Sequence, residues 1–196
     1  LQTQLGGAIT MKKQGQRWVN TIERTDSVAD WVPFVSEIPS GSRAKYALDK
    51  VSGHLTLHRI LPEGIAYPTN YGFIPRTLSK EDGGELDLMA ISTEPLLPLT
   101  ILRVRLIGGC SIRAGDQPSE DKLLGAVVCD PGCTELTDLH AVDDKLKARI
   151  AEFFTTYKLN EAETVAFEGW YDRLAAIDKV KASIRARVAA KKKRKS

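Results

Sequence analysis

The chain has 196 residues, 42% of them hydrophobic, which suits one globular domain with a real core plus short extensions. The formal charge is +3, but the run Lys191-Lys192-Lys193-Arg194-Lys195 alone supplies five positive charges, so the remaining body is slightly acidic and the overall charge says little about a nucleic-acid surface. No stretch approaches the ~18 consecutive apolar residues of a membrane span, and no apolar signal-peptide core is apparent near the start.

Residues 1–36 read as an N-terminal extension, with Trp18, Trp31, Val32 and Phe34 packing part of it on something. The first acidic residue is Glu23, after Lys12, Lys13 and Arg17. That pattern is expected of the remnant of an organellar import segment, so a mitochondrial or other organellar matrix is expected, with the cytoplasm as the alternative. Glu37–Ser42 is turn-like. From Ala44 the pattern becomes β: Lys45-Tyr46-Ala47-Leu48, a turn at Lys50–Gly53, then the alternating Leu55–Ile60. Pro62 to Pro75 reads as a loop rich in aromatic groups.

Asp82-Gly83-Gly84 is a turn signal leading into a strand at Leu86–Ile91. Further strands are expected at Ile101–Ile107, with a bend or bulge at Gly108-Gly109, and at Leu123–Val128. Asp143 or Asp144 caps a helix to about Tyr157 with Leu146, Ile150, Phe153 and Phe154 on one face. Val165–Phe167 reads as a short strand. A last helix from about Asp172 carries the stripe Ile177, Val180, Ile184, Val188. Strands followed by helices predict an α+β fold, a small β-barrel with two packed C-terminal helices spanning residues 37–190, and a basic tail at 191–196. The tail suits an acidic partner such as RNA, anionic lipid or an acidic protein; the simpler reading is a solvated terminus.

The three cysteines, Cys110, Cys129 and Cys133, are odd in number and form no disulfide framework; free thiols in a reducing compartment are expected. His54, His58 and His140 form no ligand set. Asp82, Asp87, Asp116 and Asp121 fall at strand ends or in loops. Each alone reads as a turn residue. Together, if their strands are neighbours, they place four carboxylates at one barrel end, where oxygen-only ligands call for a hard cation such as Mg²⁺.

The segment Asp82-Gly83-Gly84-Glu85-Leu86-Asp87 resembles the D-x-D-[PE]-hydrophobic-D signature of the family I soluble inorganic pyrophosphatases. In order along the chain, Glu37-Ile38-Pro39, Lys45-Tyr46, Arg59, Tyr67-Pro68-x-Asn70-Tyr71-Gly72, Phe153-Phe154-x-x-Tyr157-Lys158 and Glu168-Gly169-Trp170 follow the same family, over roughly residues 36–185. The resemblance implies a five-stranded OB-like barrel, often oligomeric, that hydrolyses pyrophosphate to two phosphates with several Mg²⁺ ions. It implies Asp82, Asp87, Asp121 and Asp116 as metal ligands, and Lys45, Arg59, Tyr157 and Lys158 on phosphate. It further implies Tyr71 and Arg59 in the catalytic set, with Glu37 and Tyr67 supporting the site.

Four matched positions depart from that pattern. The middle acid of the signature is Gly84, and Glu85 is expected to point elsewhere in the turn. An acid two residues after Lys45 is Ala47, an acid beside Asp116 is Gln117, and a phosphate-binding lysine two residues after Asp121 is Leu123. Lys122, one residue off, is expected on the opposite strand face. A one-residue slip in the loop Ala114–Lys122 changes the last two positions and leaves Gly84 and Ala47 as they are. Two readings follow: a pyrophosphatase of reduced or lost activity, or a catalytically silent subunit, a pseudoenzyme, in a homo-oligomer or a larger assembly.

Overall fold

The computed structural model describes residues 19, 21–23, 25–80, 83–158 and 164–193. Among the described residues eight strands and two α-helices follow one another: β1 (Val32–Ile38), β2 (Ala44–Leu48), β3 (Leu55–Ile60), β4 (Asn70–Ile74), β5 (Leu86–Ile91), β6 (Ile101–Ala114), β7 (Glu120–Val127), α1 (Asp144–Thr156), β8 (Val165–Tyr171) and α2 (Arg173–Lys193). The main sheet runs β1-β4-β5-β7-β6-β8, and β1 also pairs with β6. Five strands therefore close into a ring, β1-β4-β5-β7-β6, with β8 extending from β6 and the β2–β3 hairpin set apart. Only β5–β7 among the main-sheet pairs is parallel. The α+β barrel with two helices is present, and among the described residues no helix is long and apolar enough to cross a membrane.

Strand alternation divides the core in two. Leu88, Ala90 and Leu123 join the cluster that meets Ala176, Ile177 and Val180 of α2. Met89, Leu124 and Ala126 join the cluster that meets Ile150, Phe153 and Phe154 of α1. The two helices thus read opposite faces of the same strands. Asp143 caps α1 by accepting from the Lys145 amide at 2.6 Å, and Asp172 accepts from the Ala175 amide at 2.8 Å at the start of α2. The expected α2 stripe holds for two turns: Ile177 and Val180 are buried, Ile184 is half-buried, and Val188 is exposed.

Two segments differ from their sequence reading. The expected aromatic loop contains β4, because Asn70–Ile74 pairs on both edges, with β1 and β5. The boundary drawn at residue 36 falls inside β1, whose Val32, Phe34 and Val35 are fully buried. Ahead of it Trp31 stacks under the Arg103 guanidinium at 4.3 Å; Trp18 and residues 194–196 lie outside the described residues. Gly108 marks the expected bulge, and β6 continues through it to Ala114.

The Asn70-Tyr71-Gly72 motif has a packing reason. A Cβ on Gly72 would sit 2.0 Å from the Val35 carbonyl oxygen, so only glycine lets β4 approach β1. The buried Asn70 amide accepts from the Ser40 and Leu96 amides at 3.0 and 2.7 Å. It donates to Ser92 Oγ and the Glu94 carbonyl. One side chain therefore pins two loops. Asn70→Ala should leave these groups unsatisfied and lower stability by about 3 kcal/mol; urea unfolding of the two proteins measures the loss.

Candidate active site

A cavity of about 350 Å³ opens between the β2–β3 hairpin, the barrel end and the C-terminal turn of α1. Its wall includes Glu37, Lys45, Ala47, Lys50, Tyr67, Tyr71, Gly84, Glu85, Asp87, Glu120, Lys122, Tyr157 and Lys158. Local backbone features aim several of these inward. The β1–β4 register shifts between Ser36 and Ile38, which makes Glu37 the bulged residue. Glu37 Oε1 accepts from the Leu48 amide at 2.7 Å, tying the hairpin to the barrel. Burial pushes the Glu37 carboxyl up to about 7 against that hydrogen bond, with Asp87 and Glu85 adding to the rise.

The cationic side is built on the hairpin. Lys45 stands directly across from Arg59 in the β2–β3 ladder. Like charges in that position are unfavourable unless an anion lies between them. Burial, and next the Arg59 charge, lower the Lys45 pKa. The Arg59 guanidinium lies 5.6 Å from the Tyr157 ring centre, with the Lys158 ammonium at 5.9 Å from the same ring. Tyr157 stacks on Phe153, which contacts Tyr67, and Tyr67 contacts Tyr71. This aromatic train connects α1 to β4, and burial raises the pKa of all three phenols.

At the centre Lys122 donates to Asp87 at 2.6 Å and to Glu120 at 2.9 Å, with its side chain 8% exposed. Burial opposes its charge, but the two carboxylates outweigh burial and push its pKa up, so the ammonium persists. Burial, and next the Asp87 charge, hold the Tyr71 phenol in its neutral form. Behind the signature turn, Lys50 pairs with Glu85, whose side chain is 8% exposed, and lies 4.9 Å from the centre of the Phe73 ring.

Of the residues expected at the site, Glu37, Lys45, Tyr67, Tyr71, Asp87, Tyr157 and Lys158 line the cavity, and Arg59 sits beside it. Asp82 lies outside the described residues. Asp121 is a correction. It faces away, bonded to Ser111 Oγ at 3.0 Å and Lys179 Nζ at 2.8 Å, and Glu120 occupies the cavity wall instead. Lys122, expected on the far face, is likewise inside, while Leu123 is core. The reason is period-2 alternation: Glu120, Lys122 and Leu124 share the α1 side, Asp121 and Leu123 the α2 side.

Asp116 is a second correction. It is exposed with Gln117 in the loop between β6 and β7, and neither lines the cavity. Glu168 of β8 holds that loop outward by accepting from Ser119 Oγ, while pairing with Arg113 at 2.7 Å. Glu85 also differs from expectation, since it lines the cavity rather than leaving it. Sequence reading missed Glu120, Lys122 and Lys50. A signal for the first two existed: putting Asp121 inward would have put apolar Leu123 inward too.

Among the described residues no three carboxylate, histidine or thiol groups converge closely enough to form a metal cage. The donor chemistry still fits a hard cation. Asp87 and Glu120 present only oxygen, and they already converge on one positive charge, the Lys122 ammonium. These two would hold the ion.

The sequence profile described as inorganic pyrophosphatase matches residues 34–187. The inorganic pyrophosphatase of Thermus thermophilus is 39% identical over 162 residues, covering 81% of this chain and 91% of that protein. Soluble inorganic pyrophosphatase 1 of Arabidopsis thaliana is 38% identical over 151 residues, covering 76% of this chain and 70% of that protein. The crystal structure of the Thermus thermophilus protein superposes with a TM-score of 0.81 at 36% identity, covering 86% of this chain and 98% of that one. An inorganic pyrophosphatase structure from Helicobacter pylori gives 0.80 at 29% identity, covering 85% and 98%.

Two measurements check the electrostatics of this site. Lys122→Met should cost about 3 kcal/mol in metal-free buffer by leaving two carboxylates without their cation. Added Mg²⁺ should then raise the variant's Tm more than the wild type's. For Glu37 the folded pKa is raised, so its favourable contribution is complete below about 4.5 and is lost as pH rises to about 7. In EDTA, Glu37→Gln should flatten the decline of stability across that window.

Proposed function

The chain belongs to the inorganic pyrophosphatase family, and from that premise we propose that it binds pyrophosphate in this cavity and hydrolyses it slowly, with Mg²⁺. The observation that carries the reading is the cross-strand pair Lys45 and Arg59, two cations held face to face beside the Asp87–Lys122–Glu120 cluster. Such a pair asks for a polyanion, and the neighbouring carboxylates ask for a counter-cation to that anion. Lys45, Arg59 and Lys158 hold phosphate oxygens, and the buried Tyr157 hydroxyl supplies a neutral donor to them. Lys122 contacts a phosphate oxygen from the carboxylate side. Tyr71, in the same wall as Asp87, fixes the position of the attacking water. Asp87 and Glu120 would hold Mg²⁺, which would supply charge neutralisation for the tetra-anionic substrate.

The weakness lies at Gly84, whose position in the wall offers no carboxylate to accept the water's proton. Ala47, also in the wall, offers none either. With Lys122 inside, the lysine that a reading through Leu123 counts as lost is regained, and Glu120 takes the place that reading gives to Asp121. The deficit is therefore in proton acceptance more than in substrate holding.

A second reading, a silent subunit of a larger assembly, draws on the exposed Val51, Leu57 and Ile60 around the hairpin, each more than half exposed. A native mass equal to the monomer's would remove it.

Gly84→Asp tests the first reading. We expect Mg²⁺-dependent phosphate release to rise by about 10²-fold or more, within the usual range for a general base. Equal rates in both proteins would contradict the assignment of the deficit to residue 84.

A further inference from the structure

The helix α2 carries charge almost entirely of one sign. Between Arg173 and Lys193 stand eight cationic residues and a single acid, Asp178. Arg173 is used inward, donating to the Leu106 and Ala29 carbonyls, and Lys179 pairs with Asp121. Lys181, Arg185 and Lys192 are exposed. With the exposed Val188 they repeat at intervals of four, three and four residues, which sets them in one stripe along the helix. Leu174, 71% exposed, lies two turns before Lys181 on the same face. Ala176, Ile177, Val180 and Ser183 are buried, so the stripe runs along the side that packing leaves to water. Ser183 also holds Leu78, which places the turn before the signature residues on the packed side of α2, away from the stripe. In sequence, Arg194 and Lys195 continue the positive run beyond Lys193. No residue of α2 lines the catalytic cavity, so that site does not account for this face.

We propose that this outer face of α2 docks on an anionic lipid surface. Cations repeated along one exposed helix face meet the negative potential of acidic headgroups, and each adds to the attraction. Long lysine and arginine stems keep their charge at the headgroups while Leu174 and Val188 reach the acyl boundary. A nucleic-acid duplex offers the same phosphate charge but gives those two apolar side chains nothing to bury against. From Asp172 to Ser196 the sequence holds no aromatic residue on which unpaired bases could stack. The face is also one-sided, because the other half of the helix is packed on the sheet, so it suits a plane rather than a groove. The two helices read opposite faces of the sheet, so docking through α2 leaves the cavity on the α1 side open to a dissolved substrate.

The test mixes the full chain with sedimentable vesicles, either pure phosphatidylcholine or phosphatidylcholine with roughly one third phosphatidylserine. We expect the protein to pellet with the mixed vesicles alone, and to be released at about 0.5 M salt, where charge attraction is screened within a few Å. Replacing both Lys181→Glu and Arg185→Glu should lower the partition onto the mixed vesicles by about 10-fold or more. Both positions are exposed, so an unchanged Tm checks that the double variant is folded, and the salt response of the wild type needs no variant. Equal pelleting with both vesicles, no pelleting with either, or wild-type partition in the double variant would overturn the proposal. A duplex RNA serves as the competing polyanion. Retention on the RNA without retention on the mixed vesicles would assign the face to nucleic acid and overturn lipid docking.

Discussion

One ammonium group organises the functional end of this barrel. Lys122 sits between Asp87 and Glu120 with almost no exposure to water. Two carboxylates that close would repel or take up a proton without a cation between them. Asp87 belongs to β5 and Glu120 to β7, the one parallel neighbour pair of the ring. The ion pair therefore joins the strand after the signature turn to β7 through alternation: the side chain that reaches Asp87 must be Lys122, and its neighbours must face the other way.

That choice of face is enforced from behind. Asp121 is held by Ser111 and by Lys179 of α2, and Leu123 is packed in the cluster that α2 covers. The same helix grips the approach to the signature turn, where Ser183 Oγ accepts from the Leu78 amide at 2.6 Å and donates to the Leu78 carbonyl at 2.9 Å. On the opposite side, α1 carries the aromatic train that supports the phosphate-holding residues. A slip of β7 by one residue would exchange the charged and apolar sides and lose both sets of contacts together.

Much of this was legible in the sequence. The helix starts at Asp143 or Asp144 and near Asp172 and the strands at Leu55–Ile60 and Leu86–Ile91 could be read from local pattern, and the cationic residues Lys45, Arg59 and Lys158 from the family resemblance. β4 was not, because its glycine and aromatic residues imitate a loop, and only pairing on both edges identifies it. The register of β7 was obscured for a different reason. Motif spacing counts residues across a loop, whereas burial counts faces, and here the two disagree by one. The outward path of that loop depends on Glu168, 49 residues downstream of Ser119, and no local pattern reveals such a tether. The loss of the acid at Gly84 needed no structure; its neighbour Glu85 lining the same wall, under the control of Lys50, did.

The central claim, that the Lys122 ammonium is the resident cation of the carboxylate pair and faces the catalytic cavity, can be read directly by NMR of lysine side-chain NH₃⁺ groups in metal-free solution. The account predicts one slowly exchanging ammonium signal that is lost in Lys122→Met and shifts as Mg²⁺ is titrated in. Rapidly exchanging lysine signals alone, or a protected Lys122 signal indifferent to Mg²⁺, would contradict it.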